Sequence, residues 1–257
     1  MSNRLKIIRN KAYKEYCRQQ PITIEKHLNR VKKRLFESDF KFYFVSSSCN
    51  SSMIEGSSLT EDDYMRFKEA GIITKDVREV DDMIEAYRFA QRHKPTMRNI
   101  LSAHKLVAKH FSLPEKYKGK FRDVMVNVWD GRKIVYRAAR TEIVGKEMEK
   151  LVSDIELLTS RNLSLQQVFY YAAMIHLVFV SIHPFADGNG RMARLLEKWF
   201  LASKIGDTAW RIQSEKLYYT RRSSYYAKLG FRSDYSTIDY DKSIPFLLML
   251  PMALRVH

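Results

Sequence analysis

The chain has 257 residues, 45% of them hydrophobic and 12% aromatic, enough apolar material for a sizeable core, which excludes a disordered chain. Its 45 Lys and Arg against 29 Asp and Glu give a formal charge of +16, a field that favours nucleic acid, an anionic membrane surface or a polyphosphate as partner. Two cysteines, Cys17 and Cys49, have no metal-ligand spacing and no disulfide framework, and fit reduced thiols.

Residues 1–41 hold twelve Lys or Arg and four Asp or Glu, a pattern read either as a solvated helical face or as a nucleic-acid-binding surface. The opening MSNRLKIIRNKAYKEY lacks the apolar stretch of a secretory signal, so a cytoplasmic location is expected. Pro21 breaks this first basic segment, and a second, HLNRVKKRLFES, ends near Ser38. SSSCNSSMIEG then places Ser51 and Glu55 four apart and stops at Gly56, as a helix end would. Thr60, with Asp63 three residues on, resembles a capping box opening a helix through Met65 and Phe67. Helical patterns follow over 79–92 and 97–111.

Residues 124–136, VMVNVWDGRKIVY, break this rhythm by alternating on both sides of Asp130-Gly131, the signal of a tight β-hairpin turning at those two residues. Helices resume over 141–158, 165–182 and 190–202, and the tail segments SYYAKLGF and SIPFLLMLPMAL predict short helices, with Pro245 in a first turn. The apolar run VFYYAAMIHLVFVSI, fifteen residues from Val168 to Ile182, is shorter than the roughly 18 that a membrane span needs. It reads as a buried central helix, and no membrane partner is expected. The fold class is mainly α with a small β element.

Between two of these helices lies HPFADGNGRMAR, residues 183–194. A helix start preceded by glycines presents free backbone N–H groups and the positive end of the helix dipole to an anion. Arg191 and Arg194 add two guanidiniums in the first turn. His183, at the opposite rim, titrates near neutrality and suits a general base. Asp187, between base and cradle, is a carboxylate of the kind that holds Mg²⁺ beside phosphates. Base, metal ligand and anion donors together point to transfer of a phosphorus-containing group to a hydroxyl. No register of this stretch meets the EF-hand ligand pattern, and the Lys-Ser/Thr ending of a P-loop is missing.

These twelve residues resemble the Fic family signature HxFx(D/E)GNGRxxR without a departure at its defining positions. The resemblance extends over about 80–250 and implies a Fic-type helical bundle with a β-hairpin flap over the active site. It implies a protein adenylyltransferase that moves AMP from ATP to a Ser, Thr or Tyr hydroxyl of a target protein, with Mg²⁺, releasing pyrophosphate. Carried over by position, His183 is the base, Asp187 the Mg²⁺ ligand, and Gly188, Asn189, Gly190 and Arg191 the phosphate loop, with Arg194 on the γ-phosphate. Tyr225-Tyr226 resembles the family's paired tyrosines, Tyr226 being carried over as the adenine contact, although Ser233 stands where many members have a nucleotide-binding asparagine. GKFR, from Gly119 to Arg122, resembles the lead into the flap, where Val128 is the candidate clamp on the modified side chain. The family's proline run after the flap is replaced here by Arg137, Ala138, Ala139 and Arg140.

Ser51 to Gly56 also resembles the family's inhibitory motif (S/T)xxxE(G/N). The implied organisation is an N-terminal helical region, 1–79, with an inhibitory helix at about 47–56, followed by a catalytic core, 80–257, with its flap at about 124–136. In that reading Glu55 pairs bidentately with Arg194 and takes the guanidinium that the γ-phosphate needs. Competing readings are a Fic-fold enzyme with another donor, removal of AMP from a target, and a basic nucleic-acid-binding module, the last without zinc-finger or RNP-like patterns. The motifs name neither the target nor the oligomeric state.

Overall fold

The computed structural model describes residues 7, 12–33, 40–130, 133–230 and 234–256. Its elements are α1 (Tyr13–Gln19), α2 (Ile24–Lys33), α3 (Phe40–Ile54), α4 (Glu61–Glu69), α5 (Lys75–Arg92) and α6 (Met97–Val107), then strands β1 (Asn127–Asp130) and β2 (Lys133–Arg137). After the hairpin come α7 (Thr141–Ser160), α8 (Leu165–Ile182), α9 (Asn189–Ile205), α10 (Ser214–Thr220), α11 (Arg222–Leu229), α12 (Ile244–Leu247) and α13 (Met249–Met252). The fold is a mainly helical bundle with one small hairpin, as expected.

The centre is α8, apolar on nearly every side. Ser164 and Gln167 start it with a reciprocal capping box, the Ser164 hydroxyl accepting from the Gln167 N–H and the Gln167 side chain accepting from the Ser164 N–H. By length and composition α8 would pass for a membrane span, but most of it is buried inside the fold. α9 packs along it, with Met192, Leu195, Leu196 and Trp199 buried in the core. The hydrophobic core is continuous through residues on both sides of position 80.

α3 is the least ordinary helix. All eleven residues from Phe44 to Ile54 are buried, although five of them are serines and one is Asn50. Small side chains let the helix lie close against α5 and α10; the hydroxyls of Ser46, Ser47 and Ser51 find partners on neighbouring elements, while those of Ser48 and Ser52 are buried without one among the described residues. Ser46 donates to Glu61 at 2.8 Å, and Asn50 donates to the same carboxylate at 2.7 Å. Ser47 accepts from the fully buried Lys198 at 2.7 Å and donates to Glu215 at 3.2 Å, while Lys198 and Glu215 pair at 2.6 Å. Buried polar groups satisfied in this way fix register more than they add stability.

Expected and observed bounds differ at several places. α3 begins at Phe40, a full turn or more before the expected 47, and part of the second basic segment, 34–39, lies outside the described residues. Thr60 caps α4 by accepting from the Asp63 N–H, and its own hydroxyl donates to the Asp63 carboxylate, so this is an N-cap without the expected reciprocal backbone bond. The hairpin pairs Asp130 with Lys133, which puts the two connecting residues at 131 and 132, one later than expected and outside the described residues. Between Val128 and Trp129 the register skips Val135, a bulge with its extra residue in β2.

Candidate active site

The turn between α8 and α9 brings the signature together. His183 closes α8 in a left-handed backbone, with φ 55° and ψ 60°, the one non-glycine residue at positive φ among the described residues. Such a conformation costs about 1–2 kcal/mol and needs support from its surroundings. Arg122 supplies it: Nε donates to the His183 carbonyl at 2.7 Å, and the Arg122 N–H donates to the Pro184 carbonyl at 3.0 Å. The same guanidinium donates to the carbonyls of Val124, at 2.8 Å, and Ala139, tying the turn to both feet of the hairpin.

The His183 ring is set for one proton state. Nδ1 lies 3.0 Å from the Val180 carbonyl, which can only accept, so Nδ1 carries the hydrogen and Nε2 keeps its lone pair. Burial, with the Arg122 cation adding to it, holds the imidazole pKa below the ordinary histidine value. The ring is therefore neutral at pH 7, the form a general base requires.

The loop that follows is held by its own side chains. Asn189 donates to the Phe185 carbonyl and accepts from the Phe185 N–H, both at 2.8 Å, an amide clip that closes the turn. Gly188 begins α9 with φ 78°, and a Cβ there would stand 3.1 Å from Phe111 and 3.5 Å from the His104 ring. His104 accepts the Gly119 N–H at Nδ1 and donates from Nε2 to the Asp187 carbonyl, each at 3.0 Å. Its ring stacks face to face on Phe185 at 3.6 Å, and burial pushes its pKa down to about 4. The Asp187 carboxylate is left exposed, accepting only the adjacent Gly188 N–H at 2.6 Å among the described residues.

The two arginines differ. Arg191 lies over the Phe111 ring at 4.6 Å and donates to Glu79 at 2.8 Å, leaving its buried Nε without a partner. Arg194 is fully buried. Its Nη2 donates to Glu55 at 2.6 Å and to the Ser51 carbonyl at 3.1 Å, and its Nε donates to the Ser51 hydroxyl at 2.9 Å. The expected bidentate pairing with Glu55 is replaced by one short bond plus two to Ser51, because Ser51 approaches the guanidinium from the preceding turn of α3. Burial pushes the Glu55 carboxyl up, but the Arg194 charge and hydrogen bond, with Arg191 behind them, hold its pKa below the ordinary carboxylate range.

Behind Arg194 runs a chain of buried donors. Arg194 Nη1 donates to the Tyr225 hydroxyl at 3.3 Å, which leaves that proton for His176 Nε2 at 2.9 Å. His176 Nδ1 then faces Glu197 at 2.8 Å, and Tyr218 donates to the same carboxylate oxygen at 2.9 Å. Tyr226, carried over as the adenine contact, donates its hydroxyl to the Ile54 carbonyl at 3.0 Å, at the end of α3. Val128 sits in β1 with its backbone opposite Tyr136, and Ser233 lies outside the described residues.

A cavity of about 560 Å³ opens over this turn, lined by Glu55, Lys75, Glu79, Phe111, Val126, His183 and the stretch from Ala186 to Arg191. His183, Asp187, the glycines and Arg191 thus face one space. Arg194 does not line it, because Glu55 stands between them. Sequence reasoning missed His104, Glu79 and the His176–Glu197 pair, and took Arg122 only as part of a lead-in. Each is an isolated polar residue within a helix or loop, with no spacing signal of its own.

Residues 95–201 match the sequence model of the Fic/DOC family. Residues of the chain are 27% identical over 182 positions to the protein adenylyltransferase fic-1 of Caenorhabditis briggsae, covering 66% of this chain and 33% of the relative. They are 35% identical over 102 positions to the protein adenylyltransferase Fic of Aedes aegypti, covering 39% of this chain and 18% of the relative. A solved Fic family protein from Desulfovibrio desulfuricans G20 superposes with a TM-score of 0.74 at 22% identity, over 92% of this chain and 75% of that one.

The chain carries a Fic/DOC family region, residues 95–201. It spans a third or less of the length of these curated relatives, so the match covers their Fic region. The match from 95 to 201 includes α6 through most of α9, with the hairpin and the whole 183–194 turn. Three features not apparent in the Fic signature bear on the site: the His104 wedge under the loop, the Arg122 staple and the Glu79 partner of Arg191.

Proposed function

We propose that the protein transfers AMP from ATP to a hydroxyl of a target protein, and that Glu55 restrains it. The observation that carries the reading is a neutral imidazole with its free Nε2 beside a cavity whose far wall is the glycine-lined start of α9. In the reaction His183 takes the proton of the incoming Ser, Thr or Tyr hydroxyl. The oxygen attacks the α-phosphorus of ATP, the bond from that phosphorus to the bridging oxygen breaks, and pyrophosphate leaves with the electron pair. The N–H groups at the start of α9 and Arg191 favour the phosphates electrostatically. Mg²⁺ would neutralise phosphate charge from Asp187. A lone exposed carboxylate suits an ion that takes its other ligands from phosphates and water.

Restraint follows from competition. Glu55 occupies the mouth of Arg194, and a γ-phosphate seeking that guanidinium must displace it. A charged hydrogen bond is worth about 1.5–3 kcal/mol, which leaves roughly a tenth to a hundredth of molecules open. The test is incubation of wild type, Glu55→Gly and Glu55→Gly/His183→Ala with Mg²⁺, cell lysate and ATP labelled at the α-phosphate, with γ-labelled ATP in parallel. The reading requires α-label on protein, more of it with Glu55→Gly and none in the double variant. Transfer of γ-label would instead reveal a phosphoryl donor reaction.

A further inference from the structure

Buried cations elsewhere in this chain are met by acceptors: Arg194 by Glu55 and Ser51, Arg191 by Glu79, Lys198 by Glu215, and Arg122 by backbone carbonyls. Arg211 is the exception. It ends the 3-10 turn after α9, is 7% exposed, and has both Nε and Nη1 buried without a hydrogen-bond partner. It forms no ion pair among the described residues; its guanidinium lies over the rings of Phe40 and Tyr43, at 5.0 and 5.7 Å. An unpaired buried donor costs about 1–3 kcal/mol, and more when charged.

The Arg211 side chain borders a cavity of about 250 Å³ whose wall also includes Tyr43, Ser46, Gln213 and Lys216. Lys216, half-buried at the rim, likewise makes no ion pair among the described residues, and no described residue in the wall is acidic. Gln213 Nε2 donates to the Arg211 carbonyl at 3.5 Å, and its Oε1 is buried without a partner. Two cations without an ion-pair partner among the described residues, in a wall without a described carboxylate, are donors awaiting an acceptor. The space falls below the roughly 300–1,000 Å³ of sites for drug-sized ligands, so the occupant is small.

We propose that this cavity is a second anion site, separate from the α9 cradle, which binds a phosphate ion or a small phosphate monoester through Arg211 and Lys216. Its Ser46 wall lies nine residues before Glu55, which directly follows the end of the same helix, roughly 13 Å along the axis. The inference does not depend on AMP transfer, and its test reads binding alone.

Isothermal titration of the full chain with sodium phosphate should give saturable binding, weakened at least tenfold by Arg211→Met and by Lys216→Met, and retained in Arg191→Met. Without phosphate, Arg211→Met should be at least as stable as wild type in urea, since it removes an uncompensated buried charge. Phosphate should raise the Tm of wild type and leave that of Arg211→Met unmoved. Parallel titration with glycerol 3-phosphate separates the two sources: tighter binding marks a monoester site, equal binding the free ion. No binding at millimolar phosphate, or binding that Arg191→Met abolishes and both Arg211→Met and Lys216→Met leave intact, overturns the site. Should Arg211→Met fail to fold, rim-lying Lys216→Met decides alone.

Discussion

The Glu55 carboxylate rests on the backbone of Gly190: a Cβ at that position would overlap Oε1 and stand 3.2 Å from Arg194 Nη1. Gly190 lies inside α9, where alanine is intrinsically better by about 0.8–1 kcal/mol, so the glycine is there for the contact and not for the helix. Gly190→Ala should destabilise the wild type by about 1–3 kcal/mol through overpacking. In the Glu55→Gly background the same change should be neutral or stabilising. Urea denaturation of the four proteins gives the coupling directly, and additive effects would show that Glu55 does not hold this position in solution.

How much of this was legible beforehand depends on the kind of signal. Periodicity placed α8, α9 and the hairpin to within a few residues, because an apolar core helix and an alternating segment are local patterns. The signature located His183, Asp187 and the α9 start because the turn is contiguous. α3 was read too short: its serines suggest a surface or a cap, and contacts with Lys198, Glu215 and Glu61, from 15 to 168 residues away, make the burial of Ser46 and Ser47 tolerable. His104 and Glu79 act on the loop across 83 and 112 residues. No window along one sequence holds both partners.

His104 gives the stability a pH dependence. Its folded pKa, about 4, lies below the roughly 6.5 of an unfolded histidine, so the unfolded chain binds the proton more readily between those values. The contribution is fully present above pH 6.5 and is lost as pH falls toward 4, by roughly 3 kcal/mol at most. Urea midpoints of wild type and His104→Gln between pH 7.5 and 4.5 should converge as the pH drops. A constant gap would place the effect elsewhere.

The Asn189 clip predicts a loss of activity from a side chain committed to the loop itself. Asn189→Ala leaves the buried N–H and carbonyl of Phe185 without partners, a cost of about 2–5 kcal/mol for the two. Asn189→Asp keeps the acceptor and loses the donor, so its stability should fall between wild type and Asn189→Ala. If AMP transfer in the Glu55→Gly background follows the same order, the clip supports the site by shaping it. An Asn189→Asp protein as stable as wild type but inactive would argue for direct contact with nucleotide.

Arg122 holds the His183 carbonyl and both feet of the hairpin, and its charge also lowers the His183 pKa. Those two effects separate by substitution. Arg122→Lys keeps a cation but cannot span several carbonyls with one ammonium, while Arg122→Gln loses the charge as well. Both should speed amide exchange in the strands at 127–130 and 133–137 relative to α8, because the hairpin loses its anchor. Only Arg122→Gln should raise the His183 pKa. Since the base works unprotonated, activity would then fail at a higher pH on acidification, and the acid limb of the pH–rate profile would move up. Measured with Glu55→Gly as the common background, coincident acid limbs for the two variants would mean that the cation does not tune the imidazole and that Arg122 acts on geometry alone.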